Sequence, residues 1–440
     1  MFSIKNSTFM NVNKTSNFFG NINKENSFAG KNNEQKVNKI KSELHHNLFW
    51  TFKILIMFFK LIGLATFAYR IVIYKKRTSY TFQCSKLGIV YNVVLTSLII
   101  ALYCMSIPYI LNEYYHDKTN LTVGIEVLQS VLGALVSCVI LISYCIKQKS
   151  LVRIANRLIT IEHEIQRLYD LCYLLRRQRI FYTMIIVCIL KICLLILLLF
   201  TDILVIQIVR FSWLTIGLLI FLVGWLLIQY FLLVTVIQTG FVDVNRAIQN
   251  LTRINTPDLR LQSLCQTRRI IVNNSTVHQL LQLRDVHCHL CEISEDVSSF
   301  YSLPVLFGII FVFPTLIYSS YYLFSPLLMT NDILNLNYSY IFNLIVWMIF
   351  LIYPIFLLTN RITRILIEMK KTGLKKFSLQ LLHRKVQFTA NGYFRLDNTF
   401  FHSLIGTVTT YFVILVQFQI GSSRSLINAN CTGSNVTIQG

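Results

Sequence analysis

Seven stretches of this chain are apolar for about 20 residues or more, and they decide what it can fold into. They run over about 87–109, 123–146, 180–207, 211–238, 299–325, 340–360 and 400–420. A helix of about 20 residues crosses the roughly 30 Å hydrocarbon core of a bilayer, where lipid offers no partner to non-helical backbone. The expected fold is all-α: a polytopic membrane protein with seven transmembrane helices. A composition of 54% hydrophobic and 14% charged residues excludes an ordinary soluble domain. An eighth apolar stretch, about 48–73, carries Lys53 and Lys60 seven apart on one face, then Arg70. Such a face suits an amphipathic or re-entrant helix at the interface, so residues 48–86 are read as a non-spanning helix and linker.

Charge sets the expected orientation. Segments 1–86, 147–179 and 361–399 hold 31 of the 41 Lys and Arg residues and eight acids. The alternate stretches 109–122, 208–210, 326–339 and 421–440 hold only Lys118, Arg210 and Arg424. The positive-inside rule then gives a cytoplasmic N-terminus and an extracellular C-terminus, the reverse of a rhodopsin-like receptor. Residues 1–47, polar and rich in Asn and Lys, read as a disordered cytoplasmic segment with no cleavable signal peptide in view. Residues 421–440 read as an extracellular tail. Asn-x-Ser/Thr triplets at Asn120, Asn337, Asn430 and Asn435 fall on the outer segments and are the expected glycosylation sites. The net charge of +22 does not indicate nucleic acid, because it gathers beside span ends where it meets anionic lipid headgroups.

The expected cytoplasmic connections are long and helical. Leu151, Ile154, Leu158, Ile161, Ile165 and Leu168 repeat at steps of three and four with charges between them. Residues 239–298 repeat the pattern, broken near Asn255-Thr256-Pro257. Residues 87–360 thus form a six-span bundle whose inner loops, 147–179 and 239–298, project as helical extensions. Such amphipathic projections pack on one another or between subunits. Eleven scattered cysteines, several inside apolar runs, read as packing residues rather than a disulfide framework.

The last span is not apolar all round. Ser403, Thr407, Thr410 and Gln417 recur on one stripe with Ile414. Lipid cannot satisfy an amide, so a spanning helix must turn such a face toward protein or water. The span also reads Thr410-Tyr411, five apolar residues, then Gln417-Phe418. Before it stands Phe388-Thr389-Ala390-Asn391-Gly392-Tyr393-Phe394-Arg395-Leu396-Asp397. These two motifs resemble the cytoplasmic half-helix, turn and final pore helix of the insect gustatory receptor family, and weaker similarity covers most of the chain.

The resemblance implies a tetrameric ligand-gated cation channel, homo- or heteromeric, in the plasma membrane of sensory neurons. Segment 361–399 would be its cytoplasmic anchor, and 400–420 its pore-lining helix. The pore residues implied are Ser403, Thr407, Thr410, Ile414 and Gln417, with Ile414 at the hydrophobic constriction and Gln417 as the pore glutamine. A ring of Ile side chains closes by dewetting, and a neutral Gln ring discriminates weakly among monovalent and divalent cations. Tyr411 and Phe418, off the stripe, are expected to wedge against neighbouring helices. Sweet-taste members typically carry Glu where this chain has Gln417, which favours a bitter or other non-sugar tastant over a main-class sugar and leaves fructose-type receptors open.

Candidate ligand contacts in the outer half of the bundle are Glu126, Gln129, Asp202, Gln207, Trp213, Tyr318, Tyr321, Tyr322, Tyr340 and Trp347. Aromatic walls with a few polar groups suit small plant metabolites or sugars, although Tyr and Trp near span ends are also the usual interface belt. Lys191, in the middle of the third span, is expected to face the bundle interior, since a charge in lipid is costly. His287-Cys288-His289 with Cys291 offers zinc-type donors but no second Cys/His pair, so no metal site is assigned. No cofactor or enzyme motif is present, and no nucleic-acid partner is expected. A G-protein-coupled chemoreceptor is the alternative, opposed by the charge bias and by the lack of that class's motifs after span three and in the last span.

Overall fold

The structure is a computed structural model that describes residues 53–74, 77–112, 120–168, 171–205, 211–254, 266–329, 338–371 and 386–433. It opens with a short helix α1 over residues 53–62, followed by strands β1 (Phe67–Tyr74) and β2 (Arg77–Cys84). The long helices are α2 (Lys86–Asn112), α3 (Asn120–Ile146), α4 (Gln148–Leu168), α5 (Leu171–Val205), α6 (Phe211–Ile254), α7 (Gln266–Met329) and α8 (Tyr338–Lys371). A two-residue hairpin, β3 (Thr389–Ala390) and β4 (Phe394–Arg395), leads into α9 (Asn398–Gly433). Among the described residues seven helices are long and apolar enough to cross a membrane, and α4 is not one of them.

Two local expectations are corrected. The helix expected over 48–73 ends at residue 62. Gly63, at φ +89°, closes it with two bonds: its N–H reaches the Lys60 carbonyl (3.1 Å) and the Leu64 N–H reaches Phe59 (2.8 Å). That pairing is the left-handed helix stop that glycine favours. The aromatic and β-branched run from Phe67 then pairs antiparallel with 77–84 instead of continuing the helix. Likewise, a turn and hairpin stand at 388–397, where the resemblance implied a half-helix and turn. Asn391 and Gly392, at φ 51° and 81°, make a tight turn closed by the Tyr393 N–H on the Ala390 carbonyl (3.1 Å). Asn-Gly adopts this turn at low cost.

The residues between α1 and β1 belong to neither helix nor strand yet are buried, so their carbonyls need partners. Side chains from three helices supply them. Asn92 of α2 donates to the Gly63 carbonyl (2.8 Å), Gln229 of α6 to Leu64 (2.9 Å), and Gln148 at the start of α4 to Thr66. Thr66 in turn donates to the Tyr144 carbonyl at the end of α3 (3.2 Å). A Cβ on Gly88 would run into the Thr66 carbonyl oxygen, so glycine lets α2 approach. The hairpin is then held by Asn156 of α4, which both accepts from the Phe82 N–H (2.8 Å) and donates to its carbonyl (3.0 Å).

Helix α6 is the bundle's axis. It packs on α8, α7, α3, α2, α4 and α5, and 83% of its most apolar window is buried. Trp225 meets Phe58 of α1 with ring centroids 4.4 Å apart, and Tyr230 stacks on Tyr301 of α7 at 4.5 Å. The helical pattern read over 151–179 is carried by α4 and the start of α5. That over 239–298 is carried by the continuations of α6 and α7; Asn255-Thr256-Pro257 lies outside the described residues.

Candidate functional site

The last span is built from a fixed start. Asp397 caps α9, its carboxylate accepting the Phe400 N–H (3.2 Å), as short acidic side chains do at N-caps. Thr363 of α8 takes the Asn398 N–H (2.9 Å), and Ser298 of α7 donates to the Gln387 carbonyl (3.0 Å). The helix therefore begins from a point pinned by both helices it packs on.

At about 100° per residue the rest of α9 divides cleanly into faces. Leu404 and Val408 are buried, with Phe401, Phe412 and Val416 half-buried beside them. Phe401 meets Phe356 of α8 (5.5 Å), and Phe412 meets Phe324 of α7 (4.9 Å). Ser403, Thr407, Thr410, Ile414 and Gln417 lie on the opposite side, and all five are exposed. A shallow open groove of about 600 Å³ runs along Ser403, Gly406, Thr407, Thr410, Tyr411 and Ile414.

The two threonine hydroxyls on this face are satisfied within the helix. Thr407 donates to the Ser403 carbonyl (2.7 Å) and Thr410 to Gly406 (3.0 Å). Gln417 carries an amide, which no such back-bond can fully occupy, so its place on the exposed face is the more demanding fact. Tyr411 meets Phe313 of α7 (6.0 Å) while remaining half-exposed. Phe418 is 71% exposed.

The residues expected to contact ligand form separate groups. Asp202 of α5 accepts from Asn343 (2.7 Å) and from the Trp347 indole (3.2 Å), both on α8. Tyr318, Tyr321 and Tyr322 cluster on α7, with Tyr318–Tyr322 centroids at 4.4 Å and Tyr321–Tyr322 at 5.7 Å. Tyr340 is half-buried in the first turn of α8. Glu126, half-buried, and Gln129, buried, sit on α3, which packs chiefly on α2, α6 and α7. Gln207 lies outside the described residues, as does the side chain of Trp213. The sequence reading missed Asn343, whose carbonyl oxygen is buried without a hydrogen-bond partner among the described residues. An amide one turn before Trp347 in an apolar span was the available signal.

Of the triplet asparagines, Asn337 and Asn435 lie outside the described residues, as do the side chains of Asn120 and Asn430. His287 and Cys291 meet across one helical turn (3.7 Å), whereas His289 turns to Glu292 (3.6 Å). No group of three or more potential metal ligands assembles among the described residues.

A bundle in which five spans pack unequally around α6 and the last, α9, keeps a polar face uncovered defines a multi-pass membrane protein. A family model described as "7tm Chemosensory receptor" matches residues 52–422, and the chain belongs to that family. Among curated relatives from Drosophila melanogaster, it is 25% identical over 186 residues to "Putative gustatory receptor 28a", covering 37% of this chain and 41% of that protein. It is 24% identical over 221 residues to "Putative gustatory receptor 28b", covering 43% and 47%. The chain thus matches less than half the length of these relatives. Its fold is similar to that of the insect olfactory receptor OR5 from Machilis hrabei. The TM-score is 0.54 at 14% identity, over 85% of this chain and 99% of that one.

Proposed function

We propose that this chain is a gustatory receptor acting as a ligand-gated, non-selective cation channel in the plasma membrane of sensory neurons. It detects a small-molecule tastant of the bitter or other non-sugar kind. One observation carries the reading: the polar stripe of α9 lies opposite the face that packs on α7 and α8, so within one subunit it has nothing to face. Four copies, identical or mixed with related receptors, turn these stripes toward one another around a conduit. Ile414 forms the constriction and Gln417 a neutral ring beside it, with Ser403, Thr407 and Thr410 wetting the wall.

The same reading places the N-terminus in the cytoplasm and the C-terminus outside, supported by the 31 basic residues of the inner segments. It also assigns Asn120, Asn337, Asn430 and Asn435 as glycan acceptors. The ligand sits in the outer half, where the Asp202–Asn343–Trp347 group joins α5 to α8 and a tyrosine cluster lies on α7.

Purified protein in a planar bilayer without G protein tests the proposal. A ligand-evoked cation current is expected, and Gln417→Ala is expected to change the reversal potential under bi-ionic conditions at unchanged surface expression. Current that requires an added G protein contradicts the channel reading. An unchanged reversal potential and blocker sensitivity removes Gln417 from the pore.

A further inference from the structure

Lys191 is the one Lys or Arg within the seven apolar runs, and it is fully buried among α5, α6 and α8. Its Nζ donates to the backbone carbonyl of Phe350 (2.9 Å) and lies over the Phe350 ring, 3.1 Å from the centroid. The carbonyl is available for a reason written in the sequence. Four residues on stands Pro354, inside α8, which has no N–H to return to residue 350. A carbonyl freed in this way must find another donor when lipid and apolar side chains surround it. Helix α6 makes room for that donor with Gly224, where a Cβ would stand 3.0 Å from the ammonium nitrogen. A second link lies beside it, the Tyr353 hydroxyl reaching toward the Val187 carbonyl of α5 at 3.5 Å.

The position of this break within α8 gives it meaning. On its outer side, Asn343 and Trp347 bind Asp202 of α5. On its inner side, Phe356 packs on Phe401 of α9, and Thr363 holds the α9 N-terminus. Proline breaks are where helices bend, and here the two halves contact different functional regions.

We propose that Lys191 is a positioning residue: a latch on the Pro354 break of α8 that sets the angle between its ligand-side half and its pore-side half. The ammonium supplies the hydrogen bond that the missing proline N–H cannot, and the Phe350 ring holds the charge from the side. Loss of the latch changes how movement at the Asp202–Asn343–Trp347 group reaches the start of α9, without touching ligand or pore. The coupling role rests on the channel reading; the latch itself does not.

Two arms test it on the full-length protein, each with Lys191→Met, Pro354→Ala and the double variant. In detergent, hydrogen exchange of the amides flanking residue 350 is followed by mass spectrometry. Lys191→Met is expected to raise exchange in α8 around the break. Pro354→Ala gives Phe350 a helical partner, so adding Lys191→Met to it is expected to raise exchange no further. Equal exchange in the wild type and Lys191→Met, or an undiminished increase in the Pro354→Ala background, overturns the latch.

In the bilayer, Lys191→Met is expected to shift the half-maximal ligand concentration at least about fivefold at unchanged reversal potential, with the two substitutions non-additive. An unshifted response overturns the coupling role. A wild type that carries no current sinks the channel reading alone, leaving the exchange arm to decide the latch. Should Lys191→Met fail to fold, Lys191→Arg, which keeps charge and donor, is expected to fold and protect α8; open exchange there overturns the latch equally.

Discussion

Helices α6 and α9 are both apolar enough to span a membrane, yet 83% of the one window is buried and 11% of the other. Hydropathy does not set the difference, since α5, the most apolar span, is only 22% buried; what differs is where partners come from. Every side of α6 finds them within its own chain: Trp225 against Phe58, Tyr230 against Tyr301, and Gln229 between the Leu64 carbonyl and the Tyr144 hydroxyl. Helix α9 finds them on one side only, through Leu404, Val408 and Phe412, and sets an amide and a row of threonines on the other. A helix like α6 builds a subunit. One like α9, on the reading proposed above, is completed by other subunits.

That contrast breaks first at the core. Trp225→Ala should cost about 3–5 kcal/mol, as large aromatic deletions in packed interiors do, and should sharply lower the yield of folded, monodisperse protein in detergent. Little change would mean that α6 is less central than its burial indicates. Gln229→Ala comes next. It strands the Leu64 carbonyl and the Tyr144 hydroxyl, at about 1–3 kcal/mol, and thermal unfolding should register the loss. Smallest of all is the stability effect of Gln417→Ala on the exposed face of α9, expected within about 0.5 kcal/mol even where the current changes. A large destabilisation there would mean that the stripe packs within the subunit after all.

What the sequence disclosed follows the same division. The seven spans were legible because each satisfies its own backbone and needs only length and apolarity to be seen. The stripe on α9 was legible because Ser403, Thr407, Thr410 and Gln417 obey the helical period, and a period is a local property. The end of α1 was readable in principle: Gly63 followed by the aromatic, β-branched run from Phe67 is a stop and then a strand, hidden by the continuous apolarity of 48–73. The hairpin before α9 was likewise marked by Asn391-Gly392. The partner of Lys191 was not legible in that way. It lies 159 residues further along, and it is a backbone carbonyl exposed by a proline four positions beyond. Only the packing of α5 on α8 brings the two together. Asn343 and Asp202, 141 residues apart, meet for the same reason.

The central claim is that the exposed stripe of α9 faces water shared between subunits, not lipid. Thiols react with charged reagents only where water lets them ionise, so single cysteines introduced along α9 report what each face meets. The most direct measurement is the rate at which a membrane-impermeant, charged methanethiosulfonate alters current in Thr407→Cys, Thr410→Cys and Gln417→Cys. It is read against Val408→Cys and the unsubstituted chain with its native cysteines. Fast modification and block at 407, 410 and 417, with none at 408, is the predicted result. Stripe positions as unreactive as Val408→Cys would contradict the account.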